Sequence, residues 1–306
     1  MKDLTVLRDK EQFTERLVIS KVEVLTTVTG NSYLSGESMN KLGSYEFKIW
    51  DADMLGNIAL GTPHEVRGKI NIYNGKFGLI LDSVTPITDY RMEDYLPSAP
   101  LTRNQLESEI NRYIEMIQDL SLRTFVTELI KEVKEEFFTY PAAMKVHDGV
   151  VGGLAHHTLK VVTNAYNLCN TNPKVNRDIV IAGALIHDIG KTKELTPLPT
   201  IEYTIRGNLE GHIVIGLDMI STSPWKEYVL EDVMVQLRHV IVSHHGQLDW
   251  GSPKVPITTE AILVHMADVA DSRVTMAQER FTDDELYTEW IKGNRYMNSS
   301  LIKSYL

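Results

Sequence analysis

The stretch RDIVIAGALIHDIGK, residues 177–191, is the part of the sequence that most constrains the fold. Residues 179–186 are apolar almost throughout, which predicts a helix buried on all sides within a helical domain. Gly190 is expected to end this helix. His187 and Asp188 nevertheless lie in its predicted last turn, and a buried carboxylate is unfavourable unless it is paired or binds a metal. This conflict between burial and charge indicates a functional site.

Helical periodicity continues on both sides of this stretch. Apolar side chains recur every three or four residues in two series that end before Pro141. The series are Leu106, Ile110, Ile114 and Ile117, then Phe125, Leu129, Val133 and Phe137. A further helix is expected from about residue 259 to 280. The sequence therefore predicts a helical domain in its C-terminal two thirds.

Residues 16–88 show the patterns of β-strands instead. Tyr45 and Phe47 alternate with polar residues, so they are expected on one face of a strand. The Asn74-Gly75 pair separates two more strand patterns and is a strong hairpin signal, because both turn residues need a positive φ. Several short strands at this spacing favour an OB-fold barrel.

The predicted chain is thus multidomain. An N-terminal all-β OB-fold barrel is expected over residues 1–88, and a C-terminal all-α domain over residues 104–306. Between them, residues 89–103 are expected to form a partly extended linker, since prolines and polar residues are frequent there.

Composition excludes several classes of protein. With 306 residues, 43% of them hydrophobic and 24% charged, the chain has neither a disordered, a collagen-like nor a coiled-coil composition. Cys169 is the only cysteine, which excludes an intrachain disulfide and a thiolate zinc cluster. No apolar run reaches transmembrane length, and the first residues are too charged for a signal peptide. We therefore expect a cytoplasmic protein without a membrane partner.

The net charge of −10 is unevenly distributed. Residues 1–85 hold 10 basic and 11 acidic side chains, so nearly all of the negative charge lies in the remainder of the chain. This balance disfavours partners held by bulk electrostatics, such as duplex DNA. The nearly neutral N-terminal part is the better place to hold a polyanion.

Histidine and aspartate residues form short clusters in the second half of the chain. The clusters are His156-His157, His187-Asp188, His212, His244-His245 and Asp268. A His/Asp set without cysteine suits Mn²⁺, Fe²⁺, Mg²⁺ or Zn²⁺. Adjacent residues on a helix point about 100° apart, so His187 and Asp188 can face two neighbouring ions, with the carboxylate bridging them. Such two-metal sites activate water and hold a phosphoryl group.

Isolated residues of the same types are more often structural than ligating. We therefore assign no role to His64 or His239 and expect His265 to have a packing or supporting place. Asp271 lies one helical turn beyond Asp268, and we expect Asp268 rather than Asp271 to be the ligand.

Five motifs together resemble those of the HD-domain metal-dependent phosphohydrolases. They are GGLAHHTL (152–159), LIHDIGK (185–191), EGHI (210–213), SHHG (243–246) and ADVAD (267–271). The resemblance covers roughly residues 137–280 and implies a two-metal site in an HD domain. The ligands that it implies are His157, His187, Asp188, His212, His244 and Asp268.

The same resemblance assigns further roles near the ligands. His156 matches a position that does not ligate, and His245 is a further ligand or a substrate contact. Asp188 is then catalytic as the bridging carboxylate. Lys191 is either a catalytic cation that neutralises the substrate phosphate or a solvent-exposed charge at the end of a helix.

The predicted order of an OB barrel, a linker and an HD domain resembles, more specifically, the YhaM-type 3′→5′ exoribonucleases of Gram-positive bacteria. The phrases YPAA (140–143), YTIRGNL (203–209), SHHG (243–246) and WGSPK (250–254) carry this closer likeness. It implies an enzyme that uses two divalent ions, Mn²⁺ before Mg²⁺, Fe²⁺ or Zn²⁺. The implied substrate is single-stranded RNA, with single-stranded DNA left open. The direction of digestion follows from the resemblance alone.

Three residues are candidates for contacts with nucleic acid. Lys48 and Trp50 share the strand face opposite to Tyr45 and Phe47, so they are better placed for a ligand than for the barrel core. Arg206 lies in the YTIRGNL phrase.

Two other functions stay open at this point. One is an HD-type nucleotide or cyclic-dinucleotide phosphohydrolase, which the predicted OB barrel disfavours. Cyclic-dinucleotide enzymes also carry Gly-Tyr-Pro, where this chain has Gly251-Ser252-Pro253, and a Glu where it has Gly246. The other is a non-catalytic single-strand-binding replication factor, which the full ligand set disfavours. The sequence does not decide whether the chain forms a homo-oligomer.

Overall fold

The computed structural model describes residues 1–144, 148–279, 290–291 and 299–302. The chain divides into two compact units. The barrel unit comprises Met1–Ser98 and Pro197–Ile201, and the helical unit comprises Ala99–Thr196 and Glu202–Leu306. The division between Ser98 and Ala99 falls inside the segment predicted as a linker.

Five strands form a closed barrel in the first unit, which confirms the predicted N-terminal fold. The strands are β1 (Gln12–Thr26), β2 (Ser32–Asn40), β3 (Gly43–Ile49), β4 (Pro63–Tyr73) and β5 (Lys76–Pro86). They follow the order β1-β2-β3-β5-β4, in which only the β3–β5 pair is parallel. The turn between β4 and β5 contains Asn74 and Gly75, whose φ angles of 51° and 75° are those that a hairpin requires.

Alternation along β3 produces the barrel core. Tyr45, Phe47 and Ile49 are at most 2% exposed, whereas Lys48 and Trp50 are exposed. Side chains from the other strands and from the chain before β1 complete this core, among them Leu4, Phe13, Leu17, Ile19, Leu34, Val66, Ile70, Leu79 and Leu81. The period-two pattern therefore separates the faces as expected.

The segment predicted as a linker is partly packed. It contains a short 3-10 helix, Met92–Asp94, followed by Tyr95 and Leu96, which are 6% and 0% exposed. Both side chains are large and apolar, and their burial anchors the segment. The prediction of a partly extended linker therefore missed this short helix and the two buried side chains that follow it.

The described part of the second unit contains nine α-helices. They are α1 (Arg103–Glu115), α2 (Leu120–Glu132), α3 (Lys134–Thr139), α4 (Gly153–Thr171), α5 (Arg177–Ile186), α6 (Lys191–Glu194), α7 (Ile205–Thr222), α8 (Glu231–Ser243) and α9 (Thr259–Glu279). The predicted helical domain is confirmed. Two short antiparallel strands, Trp290–Ile291 and Leu301–Ile302, add a small sheet to it. None of the described helices has the length and apolarity needed to cross a membrane.

The α5 segment ends differently from the prediction. Helix α5 stops at Ile186, so His187 and Asp188 follow the helix rather than lie inside its last turn. Gly190 has right-handed angles, φ −61° and ψ −22°, and precedes α6. A Cβ atom at this position would lie 2.0 Å from the carbonyl oxygen of His212. Gly190 thus permits the close approach of α7, and the prediction that it ends α5 is wrong.

Candidate metal centre

Five helices bring the predicted ligands together. His157 lies on α4, His212 on α7 and Asp268 on α9. His187 and His244 occupy equivalent places, because each directly follows the last residue of its helix, α5 or α8. In both, Nδ1 lies 2.7–2.8 Å from the carbonyl oxygen three residues earlier. The two helix ends therefore present their imidazoles in the same way.

Six of these side chains form two clusters, each with its donor atoms within 4.8 Å of one another. The first cluster is His157, His187 and Asp268, and the second is His212, His244 and His245. Except for Asp268, His212 and His245, these residues are almost fully buried. The second cluster lacks a carboxylate of its own.

Asp188 lies between the two clusters, with one oxygen toward each. Its Oδ2 is 3.4 Å from Nε2 of both His157 and His187. Its Oδ1 is 3.5 Å from Nε2 of both His212 and His244. A carboxylate that faces two ligand clusters in this way has the arrangement of a bridging ligand in a two-metal site.

Hydrogen bonds at Nδ1 fix the tautomers of the clustered imidazoles. His187, His244 and His245 donate from Nδ1 to main-chain carbonyl oxygens. His157 and His212 donate from Nδ1 to carboxylates. Because these partners only accept, each Nδ1 carries the hydrogen and each Nε2 presents its lone pair to the centre. Metal-binding histidines are typically oriented by such bonds.

Several close contacts at the centre leave polar atoms unsatisfied, which tests whether the residues fit a cation. Nε2 of His157 lies 3.3 Å from Nε2 of His187, and Nε2 of His212 lies 3.2 Å from Nε2 of His245. Two lone pairs that face each other need a cation between them. Within the described part of the chain, the buried atoms Asp188 Oδ1 and His244 Nε2 also have no hydrogen-bond partner. The donor set therefore fits divalent ions.

The electrostatics of the site keep its carboxylates ionised. Burial raises the pKa of Asp188, but Lys191, with Nζ 2.6 Å from Oδ2, and the neighbouring imidazoles hold it well below its usual range. Burial also raises the pKa of Asp268, but the adjacent imidazoles of His157, His187 and His244 outweigh it, so this pKa is lowered as well. Both carboxylates are thus in the form that binds a metal.

Two imidazoles of the second cluster, His244 and His245, are held neutral. Burial lowers the pKa of His244. Burial, together with the charges of His244 and His212, lowers the pKa of His245 to about 3. A neutral imidazole is the form that ligates a metal. His245 thus lies with its donor atom within 4.8 Å of those of His212 and His244, and its role as a ligand or a substrate contact stays a prediction.

Lys191 lies inside the centre and not on the surface. Its side chain is 14% exposed and forms the ion pair with Asp188. Burial lowers the pKa of Lys191, but Asp188 outweighs this and raises it, so the side chain stays protonated. Of the two roles predicted for Lys191, the solvent-exposed charge is not what the structure shows.

Two carboxylates that support the ligands were missed by the sequence analysis. Asp271 accepts the hydrogen bond from Nδ1 of His157 at 2.7 Å, so it orients the imidazole of a predicted ligand. Glu194 accepts from both the main-chain N–H of His212, at 2.9 Å, and its Nδ1, at 3.0 Å. Gly211, with φ 72°, interrupts α7 at that point. The glycine directly before His212 was the available signal for this break.

The remaining histidines lie around the centre rather than in it. Nδ1 of His156 is 2.8 Å from Asp148, consistent with the predicted non-ligand position. His265 is buried, and its Nδ1 donates to the carbonyl oxygen of His244 at 2.7 Å. It therefore supports the turn that carries a ligand.

The three candidate nucleic-acid contacts lie outside this cluster. Trp50 is 55% exposed, with its ring 5.2 Å from that of Tyr33, and Lys48 Nζ lies 5.6 Å from the same Tyr33 ring. They form an exposed aromatic and cationic patch on the barrel. Arg206 instead pairs with Glu210 at 2.8 Å and Asp218 at 2.7 Å.

Comparison with known proteins agrees with this geometry. The family model described as "HD domain" matches residues 154–273, the range that holds both clusters and Asp188. The 3′-5′ exoribonuclease YhaM of Bacillus subtilis is 32% identical over 287 residues, which cover 91% of this chain and 91% of that relative. The chain belongs to the YhaM family of 3′–5′ exoribonucleases. It is accordingly an enzyme whose helical unit is a divalent-metal-binding HD domain.

Other members of the YhaM family match over most of the chain as well. The YhaM protein of Bacillus licheniformis is 33% identical and covers 85% of this chain and 85% of its own length. That of Listeria welshimeri is 32% identical and covers 82% of both. Among solved structures, the mitochondrial single-stranded DNA binding protein Rim1 of S. cerevisiae covers 28% of this chain and 100% of its own, at 12% identity. Its TM-score of 0.25 is too low to carry an argument.

Proposed function

We propose that this protein is a divalent-metal-dependent 3′→5′ exoribonuclease that hydrolyses the phosphodiester bonds of single-stranded RNA. The proposal depends mainly on the position of Asp188. One of its carboxylate oxygens faces the first ligand cluster, and the other faces the second. Two-metal sites of this kind serve in-line displacement at phosphorus. The names of the relatives supply the substrate and the direction.

We infer that the centre holds two ions, of which Mn²⁺ is the first candidate, before Mg²⁺, Fe²⁺ or Zn²⁺. His157, His187 and Asp268 would hold one, and His212, His244 and His245 the other, with Asp188 shared. The nitrogen-rich second cluster favours Mn²⁺ over Mg²⁺, since imidazole suits transition metals better. When bound, such ions lower the pKa of water and stabilise the charge that develops on a phosphate.

The chain's own residues prepare the site for hydrolysis. Asp271 and Glu194 hold the imidazoles of His157 and His212 with Nε2 toward the centre. Lys191 supplies a positive charge beside Asp188 for the phosphate oxygens. Water contributes hydroxyl to phosphorus and a proton to O3′, and the P–O3′ bond breaks. The 5′-mononucleotide then leaves, and the shortened strand keeps a 3′-hydroxyl.

The barrel is proposed to hold single-stranded RNA. Its aromatic and cationic patch, Tyr33, Lys48 and Trp50, has the two features that single-strand sites combine, namely rings that stack on bases and cations that meet phosphates. Single-stranded DNA remains a second candidate substrate, because stacking does not distinguish the sugar. The site of action is proposed to be the cytoplasm, in keeping with the single cysteine, Cys169.

A timed digestion of end-labelled oligonucleotides tests the proposal. With Mn²⁺ present, 3′-labelled RNA should release labelled mononucleotide at the earliest times, whereas 5′-labelled RNA should shorten stepwise. Matched DNA strands measure the preference for ribose, and the Asp188→Asn variant is the control for a contaminating nuclease. Release of mononucleotides from the 5′ end, internal cleavage, or equal digestion by Asp188→Asn would contradict the proposal.

A further inference from the structure

We propose that Trp250 and Arg273 form a binding subsite for one of the two nucleotides that flank the scissile phosphate. In this subsite the Trp250 indole stacks on the base and the Arg273 guanidinium meets a backbone phosphate. The proposal rests on the function proposed above and extends it by naming residues that hold the substrate beside the metal centre.

Trp250 is attached to the metal centre through a ligand candidate. Nδ1 of His245 donates to the main-chain carbonyl oxygen of Trp250 at 2.9 Å, while Nε2 of the same ring faces His212. The Trp250 ring also lies 6.5 Å from the ring of His265, whose Nδ1 donates to the carbonyl oxygen of His244. Two supporting contacts thus place this indole next to the second cluster.

The loop that carries Trp250 is held firmly. Trp250 ends a short 3-10 helix, Leu248–Trp250, and Gly251 closes it with a φ of 83°. The hydroxyl of Ser252, a residue only 3% exposed, lies 3.1 Å from the carbonyl oxygen of Val242 and 2.8 Å from that of Lys254. The position of the indole is therefore set before any substrate arrives, which favours binding.

The indole is nevertheless open to solvent. Trp250 is 43% exposed, although Ser252, which fixes the loop two residues later, is buried. The guanidinium of Arg273, an exposed residue of α9, lies 5.6 Å from the centre of the ring. An open ring with a cation beside it matches the composition of single-strand binding sites, where bases stack on aromatics and arginines meet phosphates.

Arg273 is more available than Arg206 to bind a phosphate. Two carboxylates, Glu210 and Asp218, hold Arg206. In the ranges that the structure describes, the contact of Arg273 is the Trp250 ring, and no carboxylate lies within ion-pair distance. Among the described residues, a phosphate can therefore bind Arg273 without first displacing an ion pair.

Stacking on Trp250 suits an exonuclease that removes every kind of nucleotide. Each base has a π-face, so stacking contributes affinity without selecting a sequence. A platform at the metal centre would hold each newly exposed end in turn, whichever base it carries.

The test compares Trp250→Ala with wild type on three 20-mer RNAs. One is intact, one lacks the base of its last nucleotide, and one lacks the base of the next-to-last nucleotide. On intact RNA, kcat/KM should fall about 5- to 140-fold, which corresponds to roughly 1–3 kcal/mol for one stacked base. On one of the two abasic RNAs, this penalty should fall below about twofold, because the base that would stack is already missing.

Control variants separate stacking from structure. Trp250→Phe should retain most activity because it keeps a ring. Trp250→Leu keeps apolar bulk only and should behave like Trp250→Ala. Metal content should not change in any of them, since His245 bonds to a main-chain carbonyl that every residue provides. Tyr228→Ala removes another exposed ring of the same unit, one that contacts Trp225, and should leave all three rates unchanged.

The phosphate contact has its own measurement. Arg273→Gln should reduce the slope of log KM for RNA against log salt by about 0.7, the amount expected for one phosphate on a single strand. An unchanged slope would remove Arg273 from the subsite.

The outcomes distinguish this inference from the proposed function. Equal penalties for Trp250→Ala on the intact and both abasic RNAs, or no penalty on any, would overturn the subsite even if wild type digests RNA from the 3′ end. For each protein, the rate on an abasic RNA is divided by the rate on the intact RNA. Partial loss of metal lowers both rates by the same factor and does not change this ratio. Failure of wild type to digest RNA from the 3′ end would instead overturn the proposed function.

Discussion

The barrel and the helical unit carry their candidate functional residues in opposite environments. In the helical unit, Asp188 is 3% exposed and faces four imidazoles and the ammonium of Lys191. In the barrel, Trp50 is 55% exposed and its ring packs beside that of Tyr33. The proposed function thus assigns chemistry to a buried network and substrate binding to exposed side chains. Single substitutions should therefore have large effects in the first and small effects in the second.

The largest effect is expected at Asp188, which faces both clusters. Asp188→Asn keeps the size of the side chain but replaces one carboxylate oxygen by an amide NH2 group, which does not ligate. We expect RNA hydrolysis to fall by about 10²–10³-fold or more, the loss typical for removal of a transition-state contact. Rates of 5′-labelled RNA digestion under saturating Mn²⁺ measure it. A fall of less than tenfold would show that the buried network is not the site of the chemistry.

Intermediate effects are expected at the carboxylates that orient the ligands. Asp271→Asn and Glu194→Gln should each weaken metal binding by about 10–100-fold, because such partners fix the tautomer and orientation of a ligating imidazole. Titration of the metal-free protein with Mn²⁺ measures the affinity. His156→Gln, which alters a histidine bonded to Asp148 outside the clusters, is the matched control. If it weakens binding as much as the other two, the effect is general destabilisation.

The close packing of the helical unit should also appear in stability. Gly190→Ala would place a methyl group 2.0 Å from the His212 carbonyl oxygen, and such overpacking typically lowers the free energy of unfolding by about 1–3 kcal/mol. Gly56→Ala in the barrel meets no atom within 4 Å and should change it by less than about 0.5 kcal/mol. Thermal unfolding of the two variants measures the difference. Equal shifts would contradict the contrast in packing.

The smallest effect is expected on the barrel surface. Trp50→Ala should raise KM for a 20-mer RNA about fivefold, the lower end of the range for one stacked base, with kcat and metal content unchanged. Lys48→Ala should mainly reduce the dependence of KM on salt. If kcat falls by more than KM rises, these residues act on the chemical step. That result would contradict the assignment of chemistry to the helical unit and of RNA binding to the barrel.

Local patterns were sufficient to predict most of the fold. Alternation along β3 identified Tyr45 and Phe47 as core, and the Asn74-Gly75 pair located a hairpin, because both signals depend on neighbours in sequence. The break between α2 and α3 was not predicted, since the apolar period continues through Val133. The role of Gly190 was also missed, because it depends on the approach of α7, which lies further along the chain.

In the site, too, local patterns could be predicted, whereas contacts between residues distant in sequence could not. The residues of the His/Asp motifs could be identified because their chemistry at a metal restricts their type and local spacing. Asp271 supports His157 across 114 residues of sequence, and Glu194 supports His212 across 18, so only the tertiary fold reveals those pairs. Trp250 was part of a recognised phrase, but its exposure beside Arg273 depends on the packing of a loop against α9.

The central claim is that Asp188 joins two clusters into one two-ion centre, and metal stoichiometry tests it most directly. Wild type and Asp188→Asn would be stripped of metal, saturated with Mn²⁺, freed of excess ion and analysed for Mn²⁺ per chain. The account predicts two ions per chain for wild type, fewer for Asp188→Asn with an unchanged circular dichroism spectrum, and no RNA hydrolysis by the stripped wild type. Two tightly held ions in Asp188→Asn, or full turnover by the stripped wild type, would contradict it.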